Sequence, residues 1–283
     1  SEKARLAPLM PKKRITLCED ETFHPQTCLV GIDARSNYII VEKYTGDRTG
    51  ETWNRAVAEG LENLPVRVLQ ATSDEGTGLI NHATKGLKAH HSPDLFHVHY
   101  EISKGTSVPL SCAEKKALKV HEECVKAYLS VKSARKKYDN QIKRPVGRRP
   151  NFEKKINFVR KDLKEAKFAL QKARLNKKII SEEKREISLS YHPYALLTGE
   201  KQDAPTVSQK LQQSFEKING AIESLGQKPK KSVEKAWRVT KKMNATIAFF
   251  FYMIGSIVEE LGLTDDKQNL MHSHLIPGFY LQN

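Results

Sequence analysis

The chain has no apolar run long enough to cross a membrane. Its longest, Ala245 to Val258, covers about 14 residues, against the roughly 20 that a spanning helix needs, so it reads as a buried helix. Glycine and proline are scarce, 15 and 12 in 283 residues, which excludes collagen-like and low-complexity chains. The four cysteines, Cys18, Cys28, Cys112 and Cys124, lack zinc-type spacing. That pattern favours reduced thiols over a disulfide framework, with Cys18 and Cys28 as small core residues. There is no P-loop, no G-x-S-x-G elbow and no dinucleotide fingerprint. The start, Ser1-Glu2-Lys3, carries no apolar signal segment, so the expected location is cytoplasmic.

What the chain does have is positive charge, and it is concentrated. The net charge is +15, and residues 112–190 alone hold 24 Lys and Arg against 10 Asp and Glu. The rest of the chain is nearly neutral. A neutral body with a basic projection suits a polyanionic partner such as DNA, which would make the cytoplasmic location nucleoid-associated. A Lys-rich helical face that meets only solvent is the plainer alternative.

Two textures divide the sequence. Up to about residue 110 it reads as an α/β sheet domain: strands at 15–21, 27–33, 38–45, 66–72 and 94–98, with helices at 49–63 and 78–90. The turn Asp33-Ala34-Arg35-Ser36-Asn37 suits a hairpin. From about 111 to 200 the pattern is helical. Phe152, Ile156, Val159, Leu163, Ala166, Leu170, Ala173, Ile180 and Ile187 follow 4,3 spacing, with Lys177 and Lys184 in the remaining slots. That is the seam of a coiled coil. Cys124, Tyr128, Val131, Tyr138 and Ile142 supply a facing stripe on an earlier helix. The segment Lys143-Arg144-Pro145-Val146-Gly147-Arg148-Arg149-Pro150-Asn151 breaks the two helices and caps the second. An antiparallel helical hairpin is therefore expected. Its tip places Lys143, Arg144, Arg148 and Arg149 as DNA contacts, since Arg-Pro segments suit a narrow minor groove. Residues 201–283 read as two helices, about 207–225 and 231–262, and an irregular end from His272. The predicted units are thus 1–110, 111–200 and 201–283.

Two acids end neighbouring strands. Asp20 closes the first strand and Asp74 follows the fourth, and in a sheet ordered 3-2-1-4-5 those strands are adjacent. Converging carboxylates bind hard divalent cations, sharing the shell with water and substrate phosphate. Two such ions can activate a water or a 3′-hydroxyl. Alone, Asp20 and Asp74 read first as an ordinary strand-end acid and helix cap. The clustered His90, His91, His97 and His99 lack the spacing of a zinc module.

The order strand–Asp, meander, helix, strand–Asp, helix, strand resembles the RNase H-like core of DDE transposases and retroviral-type integrases. Asp20-Glu21-Thr22-Phe23-His24-Pro25, Ser73-Asp74-Glu75-Gly76-Thr77-Gly78-Leu79, His90-His91-Ser92-Pro93-Asp94-Leu95-Phe96-His97-Val98, Arg144-Pro145-Val146-Gly147-Arg148-Arg149-Pro150 and Tyr191-His192-Pro193-Tyr194 are similar to one bacterial insertion-sequence transposase family. The resemblance implies an RNase H-like domain interrupted by the helical hairpin. It also implies Asp20 and Asp74 as the first two catalytic acids, Mg²⁺ or Mn²⁺ as cofactor, and transposon ends and target DNA as partners. No membrane partner is implied, and a homo-oligomer is left open. The family's third acid, a Glu in an S-x-x-E-G-x-N motif, has no counterpart here, so the resemblance is to a transposase cut short of it. Glu101, Glu259 and Glu260 are the substitutes the chain offers. The alternative function is a catalytically inactive DNA-binding or interaction protein on the same scaffold, and a coiled-coil adaptor is a third class.

Overall fold

The structure, a computed structural model, describes residues 5, 7–23, 25–143, 146–226 and 228–282. The chain forms two compact units. One comprises Ser1–Glu101, Glu186–Gln213 and Glu234–Asn283; the other comprises Ile102–Arg185 and Ser214–Val233. Thus 214–233 joins the segment expected to form the hairpin, and the stretches after it return to the first unit.

The first unit is built on a mixed five-stranded sheet: β1 (Lys13–Phe23), β2 (Thr27–Asp33), β3 (Ile39–Thr45), β4 (Val66–Ser73) and β5 (His90–Pro93). Their order is β3-β2-β1-β4-β5, with β1 antiparallel to β2 and parallel to β4, and β4 parallel to β5. Helix α1 (Gly50–Leu61) follows β3. Thr49 caps it, its hydroxyl accepting from the Thr52 amide at 3.3 Å, and Pro65 follows its end. Strand alternation then decides the packing. Leu17 and Glu19 of β1 are buried while Asp20 is exposed. Leu17, Leu29, Val41 and Val68 meet Trp53, Ala56 and Val57 of α1 in one cluster. Each large apolar side chain so buried contributes about 1.5–3 kcal/mol.

Two expectations are corrected after β4. The helix expected over 78–90 is a short α2 (Thr77–Asn81) and a wide π-type turn over His82–Gly86. The strand expected over 94–98 lies earlier, at His90–Pro93, and Leu95 opens α3 (Leu95–Asp139). Pro93 has no amide to continue a ladder, and Asp94 caps the helix through its Oδ1, 2.8 Å from the Phe96 amide. An apolar run after Pro-Asp is a helix start, and that signal outweighs its resemblance to a strand.

The second face of the sheet is covered from α6 (Lys231–Glu260) through a polar layer. Thr16 Oγ1 lies 3.2 Å from Gln70 Oε1, and Gln70 Nε2 donates to Ser92 Oγ at 2.6 Å. Thr246 Oγ1 lies 3.1 Å from Ser92 Oγ and 3.2 Å from His90 Nε2, and His90 stacks on Phe249 at 4.4 Å. The C-terminal segment, expected to be irregular from His272, is helical: α7 (Asp265–Leu270), a π-type turn (Met271–Leu275) and α8 (Ile276–Gln282). Pro277 lacks an amide donor, and a widened turn ahead of it accommodates that loss. Tyr280 of α8 is tied to His192 Nδ1 at 2.6 Å.

The second unit holds most of α3, most of α4 (Phe152–Ser190) and the end of α5 (Ala204–Glu223). Ser103 bonds Lys184, Glu114 bonds Arg174 and Lys177, Arg135 bonds Glu153, and Tyr138 meets the Phe152 ring. Residues further along α3 thus meet residues earlier in α4, so the two helices run side by side in opposite directions. Lys177 and Lys184 thus reach Glu114 and Ser103 of α3. Asn176 and Glu183, one position earlier in each case, are buried and bond Ser224 (2.6 Å) and Lys217 (2.9 Å). Helix α4 therefore has a second partner that a two-helix seam does not account for. Ile142, expected in the facing stripe, is fully exposed beyond the end of α3.

Candidate active site at the carboxyl end of the sheet

Three parallel strands, β1, β4 and β5, deliver one acid each to the same end of the sheet. The β1–β4 pairing runs to Cys18 opposite Thr72, and two residues further on each strand come Asp20 and Asp74. The β4–β5 pairing ends with Ser73 opposite Pro93, and Asp94 comes next, its amide donating to the Ser73 carbonyl at 3.1 Å. Sites in open sheets lie outside the carboxyl ends of parallel strands.

Local chemistry fixes each acid. Asp20 Oδ1 accepts from the Glu21 amide at 2.8 Å. Asp74 Oδ1 accepts from the Gly76 amide at 2.7 Å, folding the chain into a tight turn. A side chain at Gly78 would strike the Arg48 carbonyl, so glycine lets this turn approach the loop before α1. Arg48 in turn bonds Glu21 Oε2 at 2.7 Å and lies over the Phe23 ring at 5.3 Å. Asp94 Oδ2 takes a hydrogen bond from His97 Nδ1 at 3.0 Å when the ring carries that proton.

Asp74, Glu75, Asp94, His97 and Glu101 line one pocket of about 20 Å³, closed by Lys235, Ala236 and Val239 of α6. That volume holds roughly one water-sized species. Lys235 bonds Glu101 at 3.0 Å, and Lys242 bonds Glu75. His91 Nε2 lies 3.0 Å from Ser73 Oγ; burial holds this imidazole below its ordinary pKa, with Asp74 and Glu75 opposing the shift and Lys242 adding to it. Beneath the site, on the α1 side, Trp53 Nε1 donates to Glu21 Oε1 at 3.2 Å. Glu19 meets His82, whose Nδ1 lies 2.5 Å from Asn54 Oδ1.

Among the described residues, no three His, Cys, Asp or Glu side chains are grouped to hold a metal ion by themselves. Asp74 and Asp94 share a pocket that Asp20 does not line, and Asp20 and Asp74 each commit Oδ1 to a neighbouring amide. This set fits a hard cation bound by one or two carboxylates that shares its shell with water and phosphate, and not an all-protein cage.

The substitutes for a third acid part company. Glu101 sits in the pocket with Asp74, on α3 rather than just past a strand. Glu260 pairs with Arg14 near the start of β1, the opposite end of that strand from Asp20, and Glu259 is exposed beside it. Asp94 is not among the acids that sequence reasoning singles out; its signal is the Pro-Asp pair ahead of an apolar run. The four histidines do not gather. His90 meets Thr246, His91 meets Ser73, His97 meets Asp94 and His99 meets Ser188. Lys143, Arg148 and Arg149 are exposed between α3 and α4, with Arg149 on Asp139 at 3.3 Å; Arg144 lies outside the described residues. No helix among the described residues is long and apolar enough to cross a membrane.

Compared with known proteins, the chain matches no protein-family model and no curated protein.

Proposed function

We propose that the chain is a DNA-processing protein of the DDE transposase type, with an RNase H-like sheet carrying Asp20 and Asp74 as cation ligands. The observation that carries this reading is the sheet order, with both acids two residues past the last paired residues, Cys18 and Thr72, of adjacent parallel strands. Asp94 is the third carboxylate we assign to the site, because it directly follows the next parallel strand and shares a pocket with Asp74. Mg²⁺ or Mn²⁺ bound here would supply Lewis acidity toward a phosphodiester and an activated water or 3′-hydroxyl. Asp20 and Asp74 would hold the ion through their second oxygens. Arg48 beside Glu21 would offer positive charge to a phosphate at the same edge. Lys235 engages Glu101 and Lys242 engages one oxygen of Glu75. The hairpin of α3 and α4 would bind DNA along its basic faces. The half-buried residues of α3 at 117, 121, 124, 128, 131, 135 and 138 follow 4,3 spacing and support a supercoiled pair there.

The second reading is a DNA-binding protein without catalysis. It is favoured by the absence of a three-carboxylate cluster among the described residues. Nicking of supercoiled plasmid with Mn²⁺ separates the two. The first reading expects nicking that disappears in Asp74→Asn while duplex binding persists; binding with no nicking at any metal concentration supports the second.

A further inference from the structure

Helix α6 is tied to the sheet near β5 and, through Glu260 and Arg14 of β1, at its last residue. Near β5 it is held by the Thr246 bonds and the stack of Phe249 on His90. Toward the β2–β3 turn a cleft of about 1060 Å³ opens between α6 and the first residues of β1. Phe250, Met253 and Ile257 line it at three- and four-residue spacing, and Ile257 is 43% exposed. From Thr246 to Ile257 this wall is about 17 Å long at ~1.5 Å rise per residue. The opposite rim carries Lys12, Lys13 and Arg35, all exposed. Arg14, on the same rim, is engaged by Glu260, and Asp33 lies within the β2–β3 turn, bonded to the Ser36 hydroxyl at 2.5 Å.

We infer that this cleft is a docking groove for an amphipathic helix of a partner protein, with an apolar stripe and an acidic flank. The spacing along α6 selects a helix, because an i, i+3, i+7 wall is complementary to another i, i+3, i+7 stripe. The rim selects the flank, because three exposed cations on one side favour Glu or Asp on the occupant and reject Lys. The cleft's apolar wall continues for about three helical turns. This inference does not rest on the DNA reading.

The test uses the full chain and three fluorescent synthetic helices of about 14 residues, the length scale of a groove-bound peptide. One has a Leu stripe flanked by Glu, the second has Lys in place of Glu, and the third has Gln in place of Leu. Dodecanoate and a single-stranded oligonucleotide are run beside them. The acidic amphipathic helix is expected to bind saturably, and both other helices at least tenfold more weakly. Lys12→Glu/Lys13→Glu/Arg35→Glu is expected to cost at least tenfold for the acidic helix, and Ile257→Ser several-fold, with circular dichroism and duplex DNA binding unchanged. Equal binding of the Glu and Lys helices overturns the inference. So does undiminished affinity in the charge-reversed protein, which would place the peptide on the basic hairpin. Binding of dodecanoate or the oligonucleotide that is lost on the same reversal, while the acidic helix fails to bind, also overturns it.

Discussion

Glu19 and His82 face each other in the core with Oε1 and Nε2 2.9 Å apart and neither side chain reaching solvent. The approach is close in distance but not aligned as a hydrogen bond. Burial pushes the Glu19 carboxyl above its ordinary pKa, with His82 opposing the shift. Asn54 holds the far side of the ring, so the three side chains link β1, α1 and the π-type turn directly under the acid edge. Removing one partner strands the others: His82→Leu is expected to cost about 3–5 kcal/mol, as for a broken buried pair. Glu19→Met/His82→Leu is expected to cost clearly less than the two single changes added together. Urea unfolding of the four proteins measures this, and strict additivity would show that the two residues act separately.

Stability should fall with acid for a reason that can be located. Burial lowers the pKa of His90, His91 and His192. An unfolded histidine takes its proton near pH 6.5, so below that value the unfolded chain binds more protons than the folded one. The stability these residues contribute is therefore complete above about pH 6.5 and is lost as pH falls through their depressed values. Glu19 has the opposite sign: its raised pKa contributes stability at low pH that is lost as pH rises through its folded value. The melting temperature is expected to drop on going from pH 7 to about pH 5, and by less in His90→Asn. An identical pH profile in the variant would assign the drop to other groups.

The connection between α3 and α4 should act through charge alone. Lys143, Arg148 and Arg149 are exposed, and each phosphate they no longer neutralise should flatten the log–log salt dependence of duplex binding by about 0.9. Replacing all three with Ala is expected to weaken binding broadly across sequences and leave divalent-ion binding unchanged. A titration at several salt concentrations decides it: an unchanged slope removes this segment from the DNA interface.

The sequence is most legible where a local rule coincides with the tertiary environment. Strand β2 follows from its apolar run at Cys28, Leu29, Val30 and Ile32 and helix α1 from the spacing of Trp53, Ala56, Val57 and Leu61 ahead of Pro65, and the 3-2-1-4-5 order follows from a meander joined to crossover units. The misplaced β5 shows where reading fails. Leu95, Phe96 and Val98 beside two histidines look like a strand until Pro93 and Asp94 are weighed as a strand stop and a helix cap. That one shift also conceals Asp94 as a member of the acid edge. Asn176 and Glu183 escape notice because a two-helix seam has no place for buried polar residues; their partners Ser224 and Lys217 come from a segment far along the chain. The π-type turns at His82 and Met271 have no periodicity of their own, so no window in the sequence announces them.

The central claim, a cation held between the ends of β1 and β4, is tested most directly by anomalous diffraction from crystals soaked in Mn²⁺, comparing the native chain with Asp20→Asn. The account expects one peak about 2.0–2.2 Å from a carboxylate oxygen of both Asp20 and Asp74, a distance typical of small hard cations, and no peak there in the variant. A peak elsewhere, or none in the native protein at saturating Mn²⁺, would contradict it.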